Sequence, residues 1–290
     1  MITKLTPESI ANDVQMRRSG GHADSFIIVE SDDDQKLYGK FADSACQIIP
    51  AWKRERAYDA GKVLHGRNCE GFLVLIDADY DRVIGPTRAN EWCLYTDMHD
   101  LEVMLLSSPA LDQLLHELAS HKKLGALALT VDGVREHLLR LGAEIGRLRC
   151  ASIKHALNLD FKNMDYKKFV CAETMTLDTG NMLTHIFGKN NLSHEQRLLC
   201  AKAYDGQTIT ESSEFCQGHD GISLLGMGLR KCWGSQGIDS VLSDLLTREL
   251  RLAYQWQHFM ETSIYGAIRE WEERNAPFRV FAIVDGAATA

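Results

Sequence analysis

The stretch Phe72-Leu73-Val74-Leu75-Ile76-Asp77-Ala78-Asp79-Tyr80-Asp81 decides how this chain is read. An apolar run of strand length passes directly into alternating carboxylates. An unbroken apolar run suits a strand buried on both faces, as in a parallel sheet. Ser25-Phe26-Ile27-Ile28-Val29-Glu30 repeats the pattern with a single carboxylate at its end. In an open α/β sheet, ligands bind at the carboxyl ends of the strands. Carboxylates gathered there repel one another unless a cation neutralises them, and an all-oxygen donor set points to a hard ion such as Mg²⁺. Glu30, Asp77 and Asp79 are therefore the candidate metal ligands, the last two because residues two apart on a strand share a face. The plain alternative is that these aspartates cap helices or make turns.

Around these two runs, strands and helices alternate. Thr6-Pro7-Glu8 reads as a helix start, with Thr6 as N-cap and Pro7 in the first turn, and that helix ends near Ser19-Gly20-Gly21. A helix over Gln35 to Ala42, a strand at Cys46 to Ile49, a helix over Glu55 to Leu64 and a strand at Trp92 to Tyr95 follow. The expected fold is α/β: a small parallel sheet flanked by helices, then a mainly helical region. The expected division is an N-terminal helix (1–21), a catalytic domain (22–108) and a helical domain (109–290) for partner docking or dimerisation, the active form being a candidate homodimer. In the helical part, Val131, Val134, Leu138, Leu141, Ile145 and Leu148 form one apolar stripe, with Arg135, Arg140, Arg147 and Arg149 off it. Ser193 with Gln196 resembles a capping box. Leu242 to Trp256 suggests a long helix, and Gly286 to Ala290 a frayed end.

A net charge of −8 speaks against a broad basic surface for duplex DNA. Local basic groups remain: Lys53, Arg54 and Arg56; Lys122 and Lys123; Lys167 and Lys168. A group lying near the metal site would meet phosphates. No apolar stretch is long enough to cross a bilayer, and the first residues lack a signal-peptide pattern, so the chain is expected to be cytoplasmic. Eight cysteines without a Cys-x-x-Cys pair are expected to be reduced thiols. P-loop, dinucleotide-binding and Gly-x-Ser-x-Gly motifs are absent. Any ATP dependence would come from a partner.

Glu30 is a candidate general base, a metal ligand, or both in turn. Asp34 either orients Glu30 or stabilises a helix N-terminus. Asp81, Asp97, His99, Asp100 and Glu102 are candidates to surround the ion or complete a second metal position, with capping the simpler account of Asp97 and Asp100. Capping also suffices for Gly218-His219-Asp220. A covalent nucleic-acid link through Tyr80 or Tyr95 stays open.

Val29-Glu30-x-x-x-Asp34, Ile76-Asp77-Ala78-Asp79-Tyr80-Asp81 and Thr96-Asp97-x-His99-Asp100-Leu101-Glu102, in that order, resemble a Toprim-like family of bacterial nucleases that accompany OLD-type ABC ATPases, as in PARIS-type anti-phage systems. The likeness continues through Gly218-His219-Asp220 and Phe259, Thr262, Tyr265 and Trp271. It departs at Ser31, where family members usually carry Gly, and this loosens the expected turn after Glu30. The resemblance implies a Toprim fold, Glu30 as acid/base residue, Asp77 and Asp79 as Mg²⁺ ligands, and a helical addition that docks on the partner ATPase and is released from it. It also implies toxic RNA cleavage, with tRNA as target, once a phage is sensed. Residue chemistry alone reaches metal-dependent phosphoryl chemistry. The alternatives are a DNA-cutting Toprim nuclease, a phosphatase with an aspartate nucleophile, and a non-catalytic adaptor that binds the ATPase through the Val131–Leu148 stripe.

Overall fold

The computed structural model describes residues 5–21 and 24–282, so the expected frayed end at Gly286 to Ala290 lies outside the described residues. The chain is α/β. Four parallel strands, β1 (Ser25–Val29), β2 (Cys46–Pro50), β3 (Phe72–Ile76) and β4 (Cys93–Tyr95), form a sheet of order β2-β1-β3-β4. The chain moves outward from β1 to β2, then crosses back to β3 and on to β4. The reversal falls between β1 and β3, the point where an open α/β sheet parts its loops to make a crevice.

The local chemistry explains the helices that join these strands. Thr6 caps α1 (Pro7–Ser19) through a capping box with Ser9. The next helix, α2 (Asp32–Tyr38), starts three residues before the expected Gln35 because Ser31 is its N-cap. The Ser31 hydroxyl accepts from the Asp34 amide at 3.2 Å, and the Asp34 carboxylate accepts from the Ser31 amide at 2.8 Å. The third helix, α3 (Arg54–Gly66), leads into β3. Alternation in the strands sorts their side chains between two faces. Phe26, Ile28, Phe72, Val74 and Ile76 pack with Ile10, Ala11 and Val14 of α1 and Ala57, Ala60 and Leu64 of α3. Ile27, Val29, Leu73 and Leu75 face the other side and are fully buried as well, which is why the sequence shows runs rather than alternation.

Contacts divide the chain into two compact units that do not follow the three consecutive segments expected from sequence. One comprises residues 1–78, 87–97 and 256–290, the other 79–86 and 98–255. The C-terminal segment joins the sheet because its aromatic side chains find partners there. The ring of Phe41 stacks on Phe259 at 5.2 Å, Tyr38 meets Phe259 edge-on at 5.9 Å, and Ala42 bridges to Phe281.

The second unit is helical apart from a two-stranded hairpin. Its longest helix, Val131–Lys154, buries the expected stripe at Val134, Leu138, Leu141, Ile145 and Leu148 within its own unit. That stripe is core, so it offers no docking face. Arg149, expected off the stripe, turns inward to Asp220. Toward the C-terminus, the long helix expected over Leu242 to Trp256 is instead a shorter one, Ser243–Ala253, followed by a separate turn, Trp256–Met260. All eight cysteines are free thiols. Among the described residues, no helix is long and apolar enough to cross a membrane.

Close packing of α3 on the sheet makes one position sensitive. A Cβ added at Gly61 would lie 2.5 Å from the Trp92 ring and 2.6 Å from the Val74 side chain. Overpacking of this kind costs about 1–3 kcal/mol, more than the helix propensity gained from alanine. Gly61→Ala is expected to lower the urea midpoint without changing the m-value. An unchanged or raised midpoint would show that the α3–sheet contact is looser than this.

Candidate active site at the carboxyl edge of the sheet

Glu30 follows the last residue of β1 and Asp77 the last of β3. These strands are neighbours, with Val29 opposite Leu75, so both residues leave the sheet at its switch point. The Asp77 amide donates to Glu30 Oε1 at 2.7 Å, which ties the glutamate to the adjacent strand end. Arg54, only 9% exposed, completes the junction. Its guanidinium donates to the carbonyls of Asp77 at 2.9 Å and Ala78 at 3.1 Å, and its Nε lies 3.8 Å from Glu30 Oε1. In the sequence Arg54 belongs to one of three basic groups, none of which the pattern assigns to the site. Its burial, and its grip on backbone rather than solvent, needed the structure.

Asp34 is buried in the capping box of α2, accepting from both the amide and the hydroxyl of Ser31. It thereby fixes the turn that carries Glu30 out of β1. Ser31 sits at φ −135°, ψ 171°, extended backbone open to any residue, so the turn has no need of a glycine.

The strand argument for Asp79 does not hold. The strand β3 ends at Ile76, and Asp79 has a φ of 47°, so strand alternation no longer fixes where its side chain points. Aspartate tolerates this left-handed conformation better than most residues. Asp79 opens the second unit, where its amide donates to the His99 carbonyl at 2.7 Å and its Oδ1 lies 3.8 Å from His99 Nε2. His99 is buried, with Nδ1 3.0 Å from the Glu214 carbonyl, and burial holds its pKa below the ordinary value against the pull of Asp79.

The remaining expected residues have structural placements. Asp81 is the first residue of the short helix Asp81–Ile84. Asp97 does not cap the helix that follows it. Its carboxylate accepts from the amides of Ser263 at 2.6 Å and Ile264 at 2.7 Å, clamping the start of helix Ser263–Arg274 within the first unit. Asp100 caps helix Leu101–Ser107 through the Val103 amide, as expected, and also accepts from the Gly218 amide at 2.7 Å. Glu102 lies in the first turn of the same helix.

Asp220 is not a cap. At 1% exposure it accepts from Arg149 at 2.8 and 3.0 Å and from the Tyr166 hydroxyl at 2.7 Å. Tyr80 is buried, its hydroxyl donating to the Phe215 carbonyl, and burial pushes its pKa well above normal, which makes it a poor nucleophile. The Tyr95 hydroxyl is occupied by the Arg88 amide.

Among the described residues, no three His, Cys, Asp or Glu side chains gather into a group able to hold a metal. A closed protein cage is thus not built. Mg²⁺ does not require one, since it binds through one or two carboxylates and takes waters and substrate phosphates for its other positions. Glu30 and Asp77, adjacent at an open strand edge, fit that arrangement. Comparison of the sequence with protein-family models and with curated proteins gave no match.

Two stability predictions follow from these placements. Asp97→Ala removes two charge-assisted bonds to a helix start and is expected to cost about 1–3 kcal/mol in chemical denaturation. A loss under 0.5 kcal/mol, roughly the range of an ordinary surface change, would discount the clamp. Burial raises the Asp100 carboxyl from an ordinary 3.8 to about 6. The folded state therefore holds this proton more tightly than the unfolded one. The stability it contributes is full below about pH 4 and is lost as pH rises through about 6. Asp100→Asn is expected to flatten that part of the stability–pH curve, and an unaltered slope would reject the assignment.

Proposed function

We propose that this chain is a divalent-metal-dependent nuclease that cuts RNA, with tRNA as its target, and that it serves as the toxic effector of an anti-phage system beside an OLD-type ABC ATPase. The observation that carries the catalytic part is the placement of Glu30 and Asp77 at the ends of the two central strands, where an α/β sheet binds ligands. The choice of RNA, the defence setting and the ATPase partner rest on the Toprim-like order of acidic residues.

Glu30 is the base. Its bond from the Asp77 amide sets the direction of the carboxylate, and a carboxylate has about four lone-pair positions, so this bond does not exhaust it. It accepts the proton of the attacking water or sugar hydroxyl. Asp77, with Glu30, would hold the ion. When bound, Mg²⁺ polarises the phosphodiester and offsets the charge that develops on it. Arg54 braces the exit of β3 and lies beside Glu30, which holds the two strand ends together.

The test uses the purified full chain with total cellular RNA and, separately, plasmid DNA, in Mg²⁺ and in EDTA. Cleavage of tRNA in Mg²⁺ alone is expected. Glu30→Gln, whose amide oxygen can still accept from Asp77, should keep the fold and reduce cleavage about 100-fold or more. Asp77→Asn should do likewise. Wild-type rates from Glu30→Gln would remove it as the base. No cleavage of either nucleic acid, together with no Mg²⁺ binding by calorimetry, would reject the nuclease reading.

A further inference from the structure

The loop after β2 leaves the sheet at the same edge. Pro50 is registered against Val29, and the Ala51 amide still donates to the Val29 carbonyl at 2.8 Å. The next residue, Trp52, therefore emerges about 5 Å, one strand spacing, from the strand that bears Glu30, and about twice that from the strand that bears Asp77. Two features of Trp52 work against folding. Its side chain is 59% exposed, and its backbone is left-handed at φ 62°, an outlier for a bulky residue. Among the described residues its indole has no aromatic or cation–π partner. Lys53, next along, is exposed and forms no ion pair among the described residues.

Single exposed apolar side chains are common and need no explanation. A tryptophan held out in a strained conformation, beside an unpaired ammonium and one strand from the exit that carries Glu30, is a different matter. Strained backbone gathers at functional sites. A flat aromatic face next to a cation is the surface that a single-stranded polynucleotide recognises, base on ring and phosphate on ammonium. A base paired within a duplex cannot reach such a ring.

We propose that Trp52 is a stacking platform for one base of a single-stranded polynucleotide, that Lys53 meets the adjoining phosphate, and that the strand runs from there across the sheet edge to Glu30 and Asp77. The last clause rests on the nuclease reading. The stacking site does not.

Binding is measured by fluorescence anisotropy on the full chain carrying Glu30→Gln, so that the probe survives. The probes are a labelled 12-nucleotide RNA, the same sequence as DNA, and the RNA duplexed with its complement. Trp52→Ala is expected to weaken single-strand binding at least about fivefold, the low end for one base–aromatic stack, and to leave duplex binding as it was. Trp52→Phe should retain most of the affinity. Lys53→Gln should reduce the log–log salt slope by about 0.7, one phosphate contact on a single strand.

Trp52→Gly serves as the control for folding. Glycine relieves the left-handed strain, so this variant should melt no lower than its parent and still bind weakly. The proposal is overturned if the parent binds no single strand, if Trp52→Ala binds as its parent does, or if strand and duplex weaken together. Trp52-dependent binding by a chain that cuts nothing would sustain this inference while ending the nuclease reading. Intact cleavage and binding by Trp52→Ala would do the reverse.

Discussion

Everything at the carboxyl edge depends on how Arg54 ties the exit of one central strand to the carboxylate at the end of its neighbour. Glu30 and Asp77 leave neighbouring parallel strands, whose backbones stand about 5 Å apart. Arg54 joins the two exits, with its guanidinium on the Asp77 and Ala78 carbonyls and its Nε near Glu30. Its planar fork suits this task, and a lysine would contribute one point of charge without the fixed geometry.

The sheet was legible in the sequence because its strands are apolar on both faces. Runs such as Phe72 to Ile76 have no reading as half-exposed strands, and their regular alternation with helices fixed the class. Local caps were legible too, since Thr6 and Ser193 lie three residues from the side chains that complete their capping boxes. Ser31 carries the same signal with Asp34. It was read instead as a missing glycine, which hid both the true start of α2 and the reason that Asp34 is buried.

What sequence did not yield were partners distant along the chain. Asp97 and Asp100 look alike as helix-start aspartates, yet one clamps a helix 166 residues away and the other caps its own. Asp220 stands at a helix start and would pass for a cap, but Arg149 lies 71 residues before it and takes its carboxylate. Buried ion pairs of this kind add little net stability over an apolar pair, and breaking one is expensive. Nothing in the local pattern distinguishes a carboxylate with such a partner. The unit boundaries failed to show for the same reason, because the aromatic contacts that return residues 256–282 to the sheet join segments more than 200 positions apart.

The backbone differs from one strand exit to the next. The chain leaves β2 through Trp52 at φ 62° and leaves β3 through Asp79 at φ 47°, two non-glycine residues in left-handed conformation just beyond strand ends. For a bulky residue such as Trp52 this geometry costs of order 1–2 kcal/mol, and for an aspartate less. A glycine at either position would relieve it, and the chain uses glycine freely at other positive φ values such as Gly71 and Gly85. The same conformation recurs at Ala128, Ala156 and Met175 in the helical unit, so strain by itself marks no site; at Trp52 it coincides with an exposed ring one strand from Glu30. Glu30 shows the contrasting solution. Its strand exit through Ser31 is relaxed, and the capping box rather than strain fixes its direction. The edge thus holds a carboxylate whose orientation is set by hydrogen bonds, beside a strand exit that keeps Trp52 in a left-handed backbone.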